Sequence, residues 1–259
     1  RHSKEEYVLL SDSDVVCNID YQKVISSHIR NNADITILYK RGQIPAKMAE
    51  PMVLSLEPDG RIKDIIIDPR TDSEYSYAFD QALIKRELLI HLISECSSRN
   101  KSNFKKDIYQ ANVSKLRMYG YEFSGFSQII TCMNSYFEGN MALMRPEVRA
   151  ELFPSDRPIY TKVRDDMPGK YGLGAKVKNS LIANGCVIEG EVENSVLFRG
   201  VHISKGAKIT NSVIMQDTII GENCNLNYVI TDKDVVVKSD RTLMGFQSYP
   251  VYISKASVV

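Results

Sequence analysis

Ser11-Asp12-Ser13-Asp14 follows directly on an apolar run, Tyr7-Val8-Leu9-Leu10. Acidic residues at the end of a strand in an open α/β sheet can hold a divalent cation against phosphate oxygens. Mg²⁺ takes one or two protein carboxylates and completes its octahedron with phosphate and water. The same four residues also suit a plain strand cap and turn. The glycine loop that usually accompanies a phosphate site is missing, since no G-x-G-x-x-G or Walker pattern occurs. The nearest stretch, Gly169-Lys170-Tyr171-Gly172-Leu173-Gly174, leads into a repeat region where glycines serve turns. The histidines, His2, His28, His91 and His202, form no constellation, and neither Ser127 nor Cys132 has a base at a suggestive spacing. Cys17, Cys96, Cys132, Cys186 and Cys224 are scattered, without a C-x-x-C pair, so reduced thiols in a cytoplasmic protein are expected rather than disulfides or a zinc site.

The elements that would position Asp14 can be read from periodicity. Tyr7–Leu10 reads as a strand, Tyr21–Asn31 as a helix carrying Val24, Ile25, His28 and Ile29 on one side, and Asp34–Tyr39 as a second strand. Strand, helix and strand in so short a span predict a βαβ unit and a parallel sheet. Met52–Glu57 and Arg61–Ile67 flank Pro58-Asp59-Gly60 and predict a hairpin. Glu74–Phe79 reads as a strand, and Ala82–Glu95, Phe104–Val113 and Ile129–Asn140 read as helices.

The last third is repetitive. Asn179-Ser180-Leu181-Ile182 returns as Asn194-Ser195-Val196-Leu197, as Asn211-Ser212-Val213-Ile214 and more loosely as Asn227-Tyr228-Val229-Ile230, at spacings of 15, 17 and 16 residues. A six-residue phase runs inside it, through Val201, Ala207, Val213 and Ile219 and through Ile203, Ile209 and Met215. Three short strands per coil, stacked into a prism, bury small and β-branched side chains that no single coil could bury. The pattern is that of a hexapeptide β-helix of the left-handed type. The fold expected is therefore an α/β domain over residues 1–153, a Pro-, Gly- and charge-rich linker over 154–172, and a β-helix over 173–259.

With 33 Lys and Arg against 32 Asp and Glu, the formal charge is +1, and 43% hydrophobic with 25% charged residues is a globular composition. Neither half hides a basic excess, which argues against nucleic-acid and anionic-membrane partners. No apolar run reaches the length of a membrane span, and no signal-peptide layout opens the chain. It begins at Arg1, without Met, close to an apolar strand, as a piece of a longer protein would.

Tyr7 through Tyr21 resembles the segment Y-V-L-x-L-x-G-D-H-x-Y-x-x-D-Y of bacterial glucose-1-phosphate adenylyltransferase (ADP-glucose pyrophosphorylase), and the stretch from Asn179 to Val201 resembles the β-helix of that family. The resemblance spans nearly the whole chain. It implies a Rossmann-like nucleotidyltransferase sheet, incomplete at its N-terminus, followed by a β-helix used for subunit contact and regulation, in a protein of glycogen synthesis. The family's phosphate-holding G-G-x-G-x-R-L-x-P-L-T loop would lie ahead of Arg1.

Departures from the family's motifs carry the reading further. Asp14 matches the family's metal-binding Asp, though its neighbours Ser13 and Val15 replace Gly and His. Asp68 stands where the family's F-x-E-K-P has the Lys that binds the sugar phosphate, so an anion replaces a cation. Ser73 matches the Ser of the sugar-side S-M-G-I-Y-x-F strand, with Tyr75 where Gly gives room, and Asn103 to Ile108 partly matches D-F-G-x-D-I. Ile129 falls where W-R-D-V-G-T carries the second metal-ligating Asp and cannot coordinate Mg²⁺, which active family members use. These losses point to the GlgD-type regulatory subunit, degenerate in catalysis, with no complete metal site and no bound cofactor expected. The implied partner is the catalytic glucose-1-phosphate adenylyltransferase subunit, in a homo- or hetero-oligomer such as a tetramer. An active sugar-phosphate nucleotidyltransferase is the alternative, and a hexapeptide acyltransferase using His202 is the third reading.

Overall fold

The computed structural model describes residues 4–69 and 74–259, which divide into a first unit running to Thr131 and a second from Cys132 to Val259. The first unit is a mixed sheet with helices. Its strands are β1 (Tyr7–Ser11), β2 (Val15–Cys17), β3 (Ile35–Gly42), β4 (Met52–Leu56), β5 (Ile62–Ile67), β6 (Tyr75–Lys85), β7 (Met118–Glu122) and β8 (Ser127–Ile129). Helix α1 (Tyr21–Arg30) follows Asp20, whose carboxylate accepts the Gln22 N–H at 3.1 Å as its N-cap.

β6 organises this sheet. Ala78, Phe79, Ala82, Leu83 and Ile84 are buried, so the strand is apolar on both faces and takes the centre. Along one edge it pairs antiparallel with β3, and along the other its C-terminal half pairs with β1 while Tyr77 meets Val53 of β4. The expected βαβ unit is corrected accordingly. β1 and β3 run in the same direction but do not pair, because β6 lies between them; the parallel partner of β3 is β7. The β4–β5 hairpin forms as expected, with Glu57 N–H donating to the Arg61 carbonyl at 2.8 Å.

Two helix boundaries move for the same physical reason. Ala82–Lys85, expected to open a helix, is held in β6 by ladders on both sides, and α2 spans Arg86–Ser98. Ile129, expected to open a helix, ends β8, which pairs with β2, and α3 begins only at Met133, running to Ala142. Ladder hydrogen bonds, on two sides for β6 and on one for β8, outweigh a few tenths of a kcal/mol per residue of helix propensity. The segment expected as a helix from Phe104 winds as a π-helix over Lys105–Gln110, its start closed by Asn103, whose side chain accepts the Lys106 N–H at 2.9 Å while Asp107 accepts the Asn103 N–H at 2.9 Å.

The second unit is a parallel β-helix with three five-stranded faces. One face stacks Lys170–Tyr171, Val187–Ile188, His202–Ile203, Ile219–Ile220 and Val236–Val237; a second stacks Lys176–Lys178, Glu191–Glu193, Lys208–Thr210, Asn225–Asn227 and Thr242–Met244; the third stacks Leu181–Ile182, Val196–Leu197, Val213–Ile214, Val229–Thr231 and Val251–Ile253. Its interior includes Ile188, Val192, Leu197, Ile203, Ile209, Ile214, Ile220, Leu226 and Val237.

The strict six-residue phase does not hold inside this prism. From Ile203 the buried residues step to Ile209, Ile214, Ile220 and Leu226, so one step per coil is five residues and the coil is 17 residues long. Val213 and Ile219 consequently face outward, Ile219 being exposed. The short step falls at the Asn corner, where Asn179, Asn194 and Asn211 adopt left-handed φ of 41°, 48° and 47°. The fourth return is in register one residue later than the sequence suggests: Val213 pairs with Ile230, and Tyr228, with φ 53°, occupies the corner in place of Asn227. A file of serine hydroxyls, buried at Ser195 and Ser212, backs these corners, with the Ser195 N–H donating to Ser180 Oγ at 3.2 Å and the Ser212 N–H donating to Ser195 Oγ at 3.1 Å.

The third face is apolar outside as well as inside. Val213 and Ile230 are buried beneath Phe137 of α3, with Tyr136, Met141, Phe198, Met215 and Tyr228 around them. α4 (Pro146–Leu152) follows, and its Arg149 guanidinium donates to the carbonyls of Leu143 and Met144, at 2.6 and 2.8 Å, beyond the end of α3.

Candidate functional site

The tip of β1 is the natural place to seek chemistry. Ser11, Asp12, Ser13 and Asp14 are all exposed there, and the chain turns at once into β2. β2 pairs antiparallel with β8, so that Val15 faces Ile129, and the Ile130 N–H donates to the Asp14 carbonyl at 2.8 Å. Positions 14 and 129, far apart in sequence, are thereby brought together. Their side chains differ in fate. Asp14 is in solvent, whereas Ile129 is 4% exposed and packs with Ile19, Val24, Leu38 and Phe79. An isoleucine offers no lone pair to a metal, and a carboxylate bedded in those neighbours would lose its hydration.

The other expected positions lie apart from this pair or beyond description. Asp68 ends β5 with a left-handed φ of 57°, its N–H donating to the Pro51 carbonyl at 2.8 Å and its carboxylate exposed. Ser73 lies outside the described residues. Among the described residues no three His, Cys, Asp or Glu side chains are grouped to hold a metal ion. With Ile129 in place of a carboxylate, these two positions offer Mg²⁺ the single carboxylate of Asp14 and not a two-carboxylate clamp, and no chemical step is derived through the metal. His202 is half-buried on the first face of the β-helix, with Nε2 3.9 Å from Glu189 Oε2.

Sequence reasoning missed a neighbouring cluster. A cleft of about 310 Å³ is lined by Leu10, Ser11, Asp12, Asp80, Phe104, Lys105 and Tyr109. Asp80 sits at a bulge in β6, where the β3–β6 register shifts between Ile37 and Tyr39, and its φ of 58° turns the side chain out of the ladder. Lys105 Nζ donates to Asp80 Oδ2 at 2.8 Å and to the Glu50 carbonyl at 2.9 Å, while Asp80 Oδ1 is buried without a partner. Burial holds the Asp80 carboxyl above its ordinary range against the pull of Lys105, and the Asp12 and Asp14 carboxylates push the same way as burial. The Tyr109 phenol is likewise pushed far up, by burial first and then by Asp80 and Asp12. The one signal in the sequence is a charged residue inside a largely apolar strand, Tyr77-Ala78-Phe79-Asp80-Gln81-Ala82-Leu83. Chemically, the cleft pairs its single cation internally and keeps carboxylates in excess, so it repels phosphate rather than holding it.

Comparison with known proteins bears on this geometry. Residues 166–248 match the family model described as GlmU-like, C-terminal hexapeptide. The chain is 35% identical over 256 residues, 99% of its length, to the glycogen biosynthesis protein GlgD of Bacillus subtilis strain 168, and covers 64% of that protein. It is 35% identical over 80% of its length to the GlgD of Geobacillus stearothermophilus, covering 50% of it. Over 90% of its length it is 31% identical to the glucose-1-phosphate adenylyltransferase of Acetivibrio thermocellus, covering 55% of that enzyme. The chain thus spans between half and two thirds of these relatives.

Proposed function

This chain belongs to the glucose-1-phosphate adenylyltransferase family, and on that premise we propose that it serves glycogen synthesis as a catalytically degenerate, regulatory subunit of that enzyme. The reading rests above all on the pair of positions at the β1 tip, where Asp14 faces solvent and Ile129, the ladder partner of the next residue Val15, is buried. A nucleotidyl transfer gathers negative charge on the reacting phosphates, and losing a metal clamp there removes several kcal/mol of transition-state stabilisation, roughly 10²-fold or more in rate. Asp68, an exposed carboxylate, and the Asp80–Lys105 pair add to the reading, because neither offers a free cation to a sugar phosphate.

Regulation would then pass through contact with a catalytic subunit in a hetero-oligomer of the cytoplasm. Among the described residues no helix is long and apolar enough to cross a membrane. The test has two arms. Purified with ATP, glucose 1-phosphate and Mg²⁺, the protein carrying this chain is expected to show no turnover alone, and turnover comparable to a catalytic subunit refutes the reading. Co-expressed with a catalytic subunit, it is expected to co-purify at a fixed stoichiometry by mass measurement and to change that subunit's kinetic constants.

A further inference from the structure

The last coil of the β-helix departs from the others at one corner. The earlier coils pass from the second face to the third in one or two residues, whereas the last spends the stretch from Gly245 to Pro250 between Thr242–Met244 and Val251–Ile253. The excursion is a tight hairpin. Phe246 and Tyr249 exchange both backbone hydrogen bonds, at 3.1 and 2.9 Å, around Gln247 and Ser248. Residues opposed in this way direct their side chains to the same side of the ribbon, with Cβ atoms about 5 Å apart. Both rings stand in solvent, 75% and 80% exposed, and Met244 just before them is exposed too. The base of the hairpin is fixed. The Gly245 and Val251 N–H groups donate to the carbonyls of Asn227 and Tyr228 at 2.8 and 2.9 Å, and Gly245 and Pro250 are buried.

Two aromatic side chains held out side by side on a fixed turn keep apolar surface in water, which marks a recognition surface. Charge narrows the ligand. From Thr242 to Ser254 the sequence has no Asp, Glu, Lys, Arg or His, in a chain that is 25% charged, so an ionic ligand finds no counter-charge on the hairpin. Size narrows it again, because two rings at roughly 150–250 Å² each fall well short of the roughly 800 Å² per partner of a stable protein interface. A chain of neutral hexose units meets both limits. The C–H face of a pyranose packs on the negative face of an aromatic ring, and its hydroxyls bond to amide and hydroxyl side chains. We propose that Phe246 and Tyr249 form a surface site for an α-glucan chain, the rings taking hexose faces and Gln247 and Ser248 the sugar hydroxyls. The choice of an α-glucan among neutral saccharides rests on the reading that the chain serves glycogen synthesis. The site is read by binding without ATP, sugar phosphate or a catalytic subunit, so its failure and that of the regulatory reading are told apart.

Co-sedimentation of the protein carrying this chain with glycogen particles, and its titration with maltoheptaose, test the proposal. The protein is expected to sediment with glycogen and to be released by maltoheptaose, equally at low and high salt because no ion pair takes part. The Phe246→Ala/Tyr249→Ala double variant is expected to lose roughly tenfold or more in maltoheptaose affinity, with its unfolding midpoint unchanged because both side chains are exposed. Phe246→Tyr, which keeps the ring, is expected to bind as the parent does. Absence of sedimentation with glycogen, binding that falls away with salt, or binding indifferent to the double variant overturns the proposal. So does a parent that ignores glycogen but forms an oligomer that the double variant breaks, which would make the hairpin a protein contact instead.

Discussion

The amide of Ile130 donates to the carbonyl oxygen of Asp14 at 2.8 Å, which fixes Asp14 at the rim of an apolar core that Ile129 helps to build. Restoring a carboxylate at position 129 therefore meets the core before it meets a metal. Ile129→Asp is expected to destabilise the first unit by about 2–4 kcal/mol, the cost of a buried polar group without a partner. Urea denaturation followed by circular dichroism measures this, and assay of the same variant is expected to show no Mg²⁺-dependent turnover. A variant as stable as the parent would mean that the side chain at 129 reaches solvent.

The Asp80–Lys105 pair gives a pH-dependent prediction. The folded chain holds the Asp80 carboxyl above its ordinary value of 3.8, so the folded state binds that proton more tightly than the unfolded one. Its contribution favours folding at low pH and is lost as pH rises from 3.8 through the raised value. Lys105 limits the loss. Lys105→Met is expected to cost about 2–3 kcal/mol at pH 7, as removal of one partner from a largely buried pair does, and clearly less at pH 4. Adding Asp80→Asn to Lys105→Met is expected to recover most of the loss at pH 7. Equal losses at both pH values, with no recovery in the double variant, would sink this account.

The β-helix was legible because its chemistry is local. Asn179, Asn194 and Asn211 announce their own left-handed corners, and the isoleucines and valines between them can only face in or out. What periodicity could not show is the five-residue step, since Asn227 imitates a corner residue while Tyr228 occupies the corner. The first unit was harder. Ala82, Leu83 and Ile84 read equally as helix or strand, and only the arrival of β1 and β3 on either side decides the matter. At the candidate site, the neighbourhood of positions 14 and 129 depends on a ladder between residues more than a hundred apart, and reached the sequence reading only through resemblance. Asp80 carried no motif at all; its bulge and its partner Lys105 are products of tertiary packing.

Close stacking of coils predicts intolerance at Gly190. A Cβ there would collide with the backbone carbonyl oxygen of Ala207 and lie 2.9 Å from that of Ser204. Both are backbone atoms of the next coil, whose Ala207 carbonyl accepts the Glu191 N–H at 2.8 Å, so they cannot yield without breaking the ladder. Gly190→Ala is expected to lower stability by about 2–3 kcal/mol, as overpacking does, against a change of a few tenths for an alanine placed at the open Gly174. Thermal unfolding of the two variants side by side separates steric cost from any general effect of replacing glycine.

Phe137 offers the last test, because it decides whether α3 belongs to the β-helix by energy as well as by position. Its ring is 3% exposed, lies over Val213 and Ile230, and its centroid is 6.0 Å from that of Tyr228. Truncation to alanine removes the side chain that seals the outward apolar stripe and is expected to cost about 3 kcal/mol. The interior of the prism is untouched by this change, since Leu197 and Ile214 pack inward on the other side of the same strands. Hydrogen exchange should therefore rise selectively in Met133–Ala142, while amides of the Val196–Leu197 and Val213–Ile214 ladders keep their protection. Uniform loss of protection across the β-helix would mean instead that α3 is part of its cooperative core, and unchanged exchange in α3 would mean that contacts other than Phe137 hold it down.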